Sequence, residues 1–185
     1  MTNTNFGSAT LTNADFTEAT LTNADFANAT IKGAEFRDTV YKGVTEAQLK
    51  STKSYKEKDL NGISFGESDL SGWNFDGQNL TNANFSWATL TNTNFGSATL
   101  TNAYFREATL TNTNFTDATV KGADFSDTVS SGFTEAQLKS TKSYQDKDLS
   151  GIDLWRNNLS GWDFNGQNLT NVNFYGATLT NTNFT

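Results

Sequence analysis

A large apolar residue at every fifth position constrains this chain more than any other feature. The series begins with Phe6, Leu11 and Phe16, breaks once, and continues without interruption from Leu60 to Phe125. The residue two places before each large one is usually Ala or Thr. A period of five matches neither the 3.6-residue turn of a helix nor the two-residue repeat of a strand. The pattern therefore predicts a solenoid, in which each five-residue segment forms one side of a coil.

The interior of such a coil is narrow, which assigns a role to each position. We call the large apolar residue i. Close packing requires one large and one small inward group per side, so i and i−2 are predicted to point inward and the other three positions to face water. The predicted core consists of Phe6, Leu11, Phe16, Leu21, Phe26, Ile31, Phe36, Phe85, Leu90, Phe95, Leu100, Phe105, Leu110, Phe115, Val120 and Phe125.

Segments such as Ala14-Asp15-Phe16 and Ala83-Asn84-Phe85 carry the order Ala, Asp or Asn, then Phe or Leu. This pattern resembles that of the pentapeptide-repeat family and covers nearly the whole chain. The resemblance implies an all-β solenoid, a right-handed quadrilateral β-helix with four sides. At about twenty residues per coil the chain would form about eight coils, with two short inserted helices.

A longer period lies on top of the first. The segment from Thr2 to Leu11 recurs unchanged from Thr91 to Leu100, an offset of 89 residues (91 − 2). We expect a single domain, residues 1–185, built of two units at about 2–90 and 91–179, followed by the start of a third. Because the pattern stops within a unit, the chain is interpreted as a segment of a longer array, natural or engineered.

The break in each unit is predicted to hold a helical excursion. Phe36 and Phe65 are 29 residues apart, which equals one coil of twenty residues and nine more. This count assigns Tyr55, and Tyr144 in the second unit, to inward aromatic positions. The excursions, near 44–53 and 133–142, should leave the same side of the solenoid four coils apart, or roughly 19 Å at the usual strand spacing.

The sequence of each excursion contains helix-start signals. Thr45 and Gln48 form a capping box, and Val44 can contact Leu49 across it. The helices are interpreted either as a lid packed against the coil or as a recognition surface that presents Lys50, Lys53, Lys139 and Lys142. Trp73 and Trp162 replace the usual small inward residue after each helix. They are expected either to close the gap beneath the helix or to line a ligand pocket.

Composition argues against several classes of function. The chain has no Cys, His or Pro and a net charge of −7, which is the wrong sign for a nucleic-acid partner. Its carboxylates lie mostly at outward, solvated positions, so we expect no catalytic residues, and no motif predicts a cofactor or a metal. No signal peptide or membrane span is recognised, so the segment is expected to be soluble, and its compartment is left open.

The sequence thus favours a non-enzymatic structural or protein-interaction scaffold, whose partner is another protein or its own copies end to end. The candidate contacts are four outward aromatic residues, Trp87, Tyr104, Trp155 and Tyr175, which are scattered along the sequence. Two alternatives remain. The family resemblance and the negative charge suggest a DNA mimic that inhibits or protects type II topoisomerases. Outward Thr-X-Thr pairs such as Thr89 and Thr91 resemble the surfaces of ice-binding proteins.

Overall fold

A computed structural model describes residues 2–185, and it forms a four-sided tube. Parallel backbone bridges join residues twenty apart, such as Asn74 to Asn94 and Asn79 to Thr99. Two bridges, Glu35 to Ser64 and Asp124 to Asp153, span 29 residues instead. Each side is too short for a continuous strand, so the pairing consists of isolated bridges. The fold is a right-handed quadrilateral β-helix, which confirms the predicted class.

The inward residues divide the tube into four faces, which we number in chain order. Faces 1 and 3 carry aromatic columns, and faces 2 and 4 carry aliphatic ones. Face 1 contains Phe6, Phe26, Phe75, Phe95, Phe115, Phe164 and Phe184; face 2 contains Leu11, Ile31, Leu60, Leu80, Leu100, Val120, Leu149 and Leu169; face 3 contains Phe16, Phe36, Phe65, Phe85, Phe105, Phe125, Leu154 and Phe174; face 4 contains Leu21, Leu70, Leu90, Leu110, Leu159 and Leu179.

The aromatic columns fill the centre of the tube. Phe75 and Phe95 stack on successive coils of face 1 with ring centroids 5.2 Å apart, and Phe85 of face 3 meets Phe95 edge to face at 5.3 Å. Of the sixteen residues assigned to the core, the fourteen from Phe16 to Phe125 are buried in the structure, whereas Phe6 and Leu11 are half-buried.

Hydrogen bonding explains the polar residues at i−1. The carboxamide Oδ1 of Asn94 accepts from the amide N–H of Gly96 at 2.9 Å, which is the one amide of that segment that the backbone leaves free. The side chain of Asn114 then donates to Asn94 at 2.8 Å on the coil below. Asn and Asp at i−1 therefore close the corner locally, as they do in Asx turns.

Six short helical segments interrupt the coils within residues 2–185. Each excursion contains one 3-10 turn and two α-helices, rather than the single helix that the capping signals predict. The first has the 3-10 turn Val40–Lys42, α1 Glu46–Ser51 and α2 Lys53–Lys56; the second has the 3-10 turn Val129–Ser131, α3 Glu135–Ser140 and α4 Lys142–Gln145. Among residues 2–185, no helix has both the length and the apolar character needed to cross a bilayer.

Each excursion replaces one segment of face 4 and one of face 1, and it satisfies the backbone that it interrupts. The amide of Asn74 on the next coil donates to the Glu46 carboxylate at 2.7 Å, and its carbonyl accepts from the Tyr55 hydroxyl at 2.7 Å. Burial raises the pKa of the Tyr55 hydroxyl above its ordinary value. On the preceding coil, the Gln48 side chain donates to the carbonyls of Leu21 and Ala24.

The position of Tyr55 corrects the sequence prediction. Counting by fives assigns this residue to an inward aromatic slot, but its ring is half-buried beside the tube and its hydroxyl bonds the backbone. Tyr144 lies in the same way and bonds the carbonyl of Asp163 at 2.7 Å. The two α-helices use more chain than one side of a coil, so the inward groups come from earlier in the excursion, chiefly Val44 and Leu49.

The interior beneath the helices differs between the two units. In the second unit Phe133 is buried and stacks on Phe125 at 4.5 Å. Val44 occupies the equivalent place in the first unit, beside a small apolar cavity of about 10 Å³. Trp73 and Trp162 are buried and meet Phe65 and Phe133 edge to face at 5.7 and 6.0 Å. Both tryptophans pack inside the tube, in agreement with the expectation that they close the gap beneath each helix.

Candidate functional site

The four outward aromatic residues, which are scattered in the sequence, lie together in the structure. Tyr104 is on face 3, and Trp87, Trp155 and Tyr175 are on the corner that follows it. Trp87, Tyr104 and Tyr175 are 51%, 49% and 77% exposed, whereas Trp155 is half-buried. Because every coil returns to the same corner, the chain from residue 87 to residue 175 passes this corner on five successive coils. The first and last of these coils are roughly 19 Å apart along the axis of the solenoid.

Two arginines pack on the indole rings, and one of them connects the two rings. The guanidinium carbon of Arg106 lies 5.9 Å from the ring centroid of Trp87 and 5.2 Å from that of Trp155. Arg156 lies over the same Trp155 ring at 5.0 Å. The intervening coil carries the small residue Ser126 on this corner, which leaves room for Arg106 to reach Trp155. We call the resulting set the aromatic–arginine strip: Trp87, Tyr104, Arg106, Trp155, Arg156 and Tyr175.

Acidic neighbours hold both arginines in place. The Nε atom of Arg106 lies 3.3 Å from the Glu107 carboxylate, and that of Arg156 lies 3.8 Å from Asp127. The remaining arginine of the chain, Arg37, lies on the same corner of the first unit. The guanidinium groups are therefore oriented by a ring face and a carboxylate together.

The fold does not require the residues of the strip. Each strip residue has an equivalent 89 positions away that is small or of different charge: Gly176 for Trp87, Asp15 for Tyr104, Thr17 for Arg106, Gly66 for Trp155, Glu67 for Arg156 and Ser86 for Tyr175. By contrast, the outward residues of the regular five-residue segments of faces 2 and 4 repeat between the units with two exchanges, Asn61 for Ser150 and Asp69 for Asn158. The same backbone thus accepts Gly or Ser where the strip has aromatic rings.

The helical lysines form ion pairs within their own excursions. Lys50 lies 2.8 Å from Glu46, and Lys139 lies 2.8 Å from Glu135. The hydrogen bond to Glu135 raises the pKa of Lys139. Lys53 and Lys142 pair with Glu57 and Asp146 in the same i,i+4 arrangement. These contacts support helix packing and give no indication of a separate recognition surface.

The Thr-X-Thr pairs form only short arrays. Thr89 and Thr91 lie above Thr109 and Thr111 on two successive coils of face 4. On the next regular coil of this face, Asn158 occupies the place of the first threonine of the pair. Within the part of the chain that the structure describes, no three acidic side chains gather as they would to hold a metal ion.

The fold and the strip together define a β-solenoid repeat protein with one differentiated edge. The family model for pentapeptide repeats matches eight copies, at residues 1–38, 59–96, 90–127 and 148–185. This chain belongs to the pentapeptide-repeat family, as its sequence pattern predicts. A comparison with curated proteins found no match.

Solved structures of pentapeptide-repeat proteins are similar along most of the chain. A trypsin-treated variant of QnrB1, a plasmid-mediated fluoroquinolone resistance protein, is 16% identical, with 93% of this chain and 89% of that chain covered and a TM-score of 0.43. HetL, involved in heterocyst differentiation regulation in the cyanobacterium Nostoc sp. strain PCC 7120, is 18% identical, with 99% and 84% covered and a TM-score of 0.33. Rfr23 from the cyanobacterium Cyanothece 51142 is 21% identical, with 72% and 95% covered and a TM-score of 0.33.

Proposed function

We propose that this protein is a non-enzymatic interaction scaffold that binds a protein partner through the aromatic–arginine strip. The observation that carries the proposal is that aromatic and arginine residues from four of five successive coils lie along face 3 and the corner that follows it, at positions where the other unit has Gly, Ser, Thr or acidic residues. The repeat supplies a rigid support, and the strip is the part of the surface that departs most from the repeat.

The composition of the strip suits a protein partner. Trp, Tyr and Arg contribute most of the binding energy in protein interfaces, because they combine a large apolar area with directed hydrogen-bond donors. Here Arg106 is already held between two rings, so less side-chain entropy is lost when a partner binds. The solenoid keeps the six residues in line without any rearrangement of the backbone.

A display experiment tests this proposal, because it samples the whole protein surface and requires no natural partner. Binders are selected from a library of displayed peptides and small domains against the whole protein. Their affinity is then measured for a variant that carries the residues of the other unit: Trp87→Gly, Arg106→Thr, Trp155→Gly and Tyr175→Ser. We expect most selected binders to lose at least about tenfold in affinity.

The matched control exchanges residues between units on other faces, as Asn61→Ser with Asp69→Asn. Both variants should retain the circular dichroism spectrum of the parent, since every new residue already occurs on the same backbone. The proposal is wrong if the selected binders bind the strip variant as tightly as the parent, or if the control variant loses binding to the same extent.

A further inference from the structure

A further exposed tyrosine extends the line of rings on the corner after face 3. Tyr41 is 69% exposed and belongs to the 3-10 turn Val40–Lys42, whose last residue pairs with two carboxylates of that corner. It lies two coils before Trp87, and its equivalent in the second unit is Ser130. From Tyr41 to Tyr175 there are six coil steps, roughly 29 Å along the axis of the solenoid. We call the five rings the ring row: Tyr41, Trp87, Tyr104, Trp155 and Tyr175.

The polar groups of the ring row have no partner within the protein. Within residues 2–185, none of its tyrosine hydroxyls or indole N–H groups makes a hydrogen bond, and none of them is a buried atom. By contrast, the tyrosines of the two excursions both donate to backbone carbonyls at 2.7 Å. The ring row thus offers a ligand aromatic faces together with free donors.

The acceptors beside the ring row are already in use. Glu107 and Asp127 pair with the two arginines of the strip. The neighbouring carboxylates of face 3, Asp124 and Asp153, accept hydrogen bonds from adjacent backbone and side-chain groups. Each arginine of the strip is thus matched by a carboxylate, so the strip suits an uncharged ligand that brings acceptors of its own.

We propose that the ring row binds a proline-rich segment of the protein partner in the polyproline II conformation. This inference rests on the proposed function, because it names the part of the partner that the strip binds. Proline has no N–H, and a polyproline II helix has no internal hydrogen bonds, so the segment presents carbonyl acceptors and apolar rings. The ring row presents the complement, which is free donors and aromatic faces.

The other common peptide conformations match the ring row less well. A β-strand presents N–H groups as well as carbonyls, and an indole N–H can only donate, so the N–H groups of a strand would find no acceptor there. An α-helix uses both groups internally and has none to offer along its length. Free donors on aromatic rings therefore favour a backbone that consists mainly of acceptors.

The spacing of the rings also fits a polyproline II helix. Tyr41 and Trp87 lie two coils apart, as do Tyr104 and Trp155. Two coils rise about 9.6 Å, and one turn of polyproline II rises about 9.3 Å. Six residues of such a helix, about 19 Å long, would span the strip, and about ten residues would also reach Tyr41.

Titration with proline peptides tests the proposal on the whole protein. The probe is N-acetyl-decaproline amide, and the readout is the four indole N–H signals in ¹H–¹⁵N spectra. We expect saturable shifts of Trp87 and Trp155 and unchanged signals from the buried Trp73 and Trp162. A Gly-Ser peptide of the same length and end groups should shift none of them. Equal shifts with both peptides, or no saturable shift with decaproline, would overturn the proposal.

Peptide length provides a second test, with affinities measured by calorimetry. Tyr41→Ser introduces the residue of the other unit and should weaken decaproline binding about three- to tenfold, the value of one aromatic contact. Hexaproline spans the strip alone, so its binding should not change in this variant. The strip variant should lose both peptides. Decaproline binding that is unchanged by Tyr41→Ser would contradict this extended mode of binding.

The two proposals fail in different ways. If decaproline does not bind but the display-selected binders still lose affinity for the strip variant, the scaffold function stands and the ligand class is wrong. If the selected binders also bind the strip variant as tightly as the parent, both proposals are wrong.

Discussion

At the residue scale, the last position of each five-residue segment is governed by backbone conformation. The residue at i+2 adopts a positive φ along the solenoid, and Asn, Gly, Asp, Glu and Ser account for most of these positions. Trp87 is a bulky exception, with a φ of 59°, while its equivalent Gly176 has a φ of 69°. A left-handed conformation costs a residue with a Cβ atom about 1–2 kcal/mol, a cost that glycine does not incur.

This strain predicts an unusual order of stability at position 87. Both Trp87→Gly and Trp87→Ala remove the ring, but alanine retains the strain. After allowance for the greater freedom of glycine in the unfolded chain, we expect Trp87→Gly to be more stable than Trp87→Ala by about 0.5–1 kcal/mol. Urea denaturation measures the difference.

Thr99 provides the control, because it is an exposed bridge residue outside the positive-φ set. At position 99 the alanine variant, Thr99→Ala, should be more stable than the glycine variant, Thr99→Gly. Equal stability of the two Trp87 variants would contradict the claim that this tryptophan is held at a structural cost.

The residue scale also shows how far sequence reasoning extends. The five-residue period is sufficient to predict that Phe95 points inward, because burial of i repeats in every segment. It does not by itself reveal the strip, since Trp87, Arg106 and Trp155 are far apart in sequence. Counting coils across the excursion places them on one corner, but the reach of Arg106 past Ser126 depends on side-chain conformations that no period encodes.

At the element scale, each excursion replaces two sides of a coil, those of faces 4 and 1, and its interior is packed differently in the two units. Phe36 stacks on Phe65 at 5.4 Å in the first unit, where the excursion contributes Val44. In the second unit Phe133 stacks on Phe125 and Leu154 stands in the place of Phe65. The first unit thus has an aliphatic residue at position 44 and a phenylalanine at position 65, whereas the second unit has the phenylalanine at the first of these equivalent positions and the aliphatic residue at the second.

This exchange predicts strong coupling between positions 44 and 65. Val44→Phe alone should destabilise the protein by about 1–3 kcal/mol, because the cavity of about 10 Å³ is too small for the added ring. Phe65→Leu alone should cost about 1–2 kcal/mol through lost packing. The double variant reproduces the second unit and should lie within about 1 kcal/mol of the parent. Denaturation of all four proteins gives the coupling energy, and simple additivity would show that the two positions are independent.

The closure of the excursion predicts a local effect at Asn74. Glu46→Met removes the acceptor for the Asn74 amide and should cost about 1–3 kcal/mol, whereas Glu46→Gln retains an oxygen at the same place. Hydrogen exchange of the Asn74 amide should accelerate only in the Met variant. The equivalent amide of Asp163, bonded to Glu135 at 2.7 Å, is the internal control. If Asn74 exchanged equally slowly in both variants, the Glu46 carboxylate would not be its protecting partner.

The excursion also shows why the sequence alone misplaces Tyr55. The capping box and the apolar pair Val44 and Leu49 are local signals, and the structure has the capping box and buries both apolar side chains. The inward slot depends instead on how much chain the helices use before the coil resumes. The excursion has two α-helices separated by Thr52 where the capping signals predict one, and they displace Tyr55 from the tube.

At the scale of the whole molecule, the negative charge is unevenly distributed and locally compensated. Many carboxylates lie on face 3 and its corner, but Lys42, Arg106 and Arg156 pair with several of them. Duplex DNA instead presents one uncompensated charge per about 1.7 Å of its axis. The net charge of −7 therefore does not produce a continuous anionic surface along the solenoid.

This charge distribution predicts the outcome of a topoisomerase assay. We expect excess protein to leave DNA supercoiling by gyrase unchanged, because the corner that concentrates acid also carries arginine and indole groups. A variant with Arg106→Glu and Arg156→Glu makes the corner more acidic, and it provides the comparison. If the protein acted as a DNA mimic, the parent would inhibit in a dose-dependent way and the variant would inhibit more strongly, because repulsion of the enzyme's DNA-binding surface would be reduced. That pair of results would replace the scaffold function with the DNA-mimic alternative, whereas inactivity of both proteins would argue against that alternative.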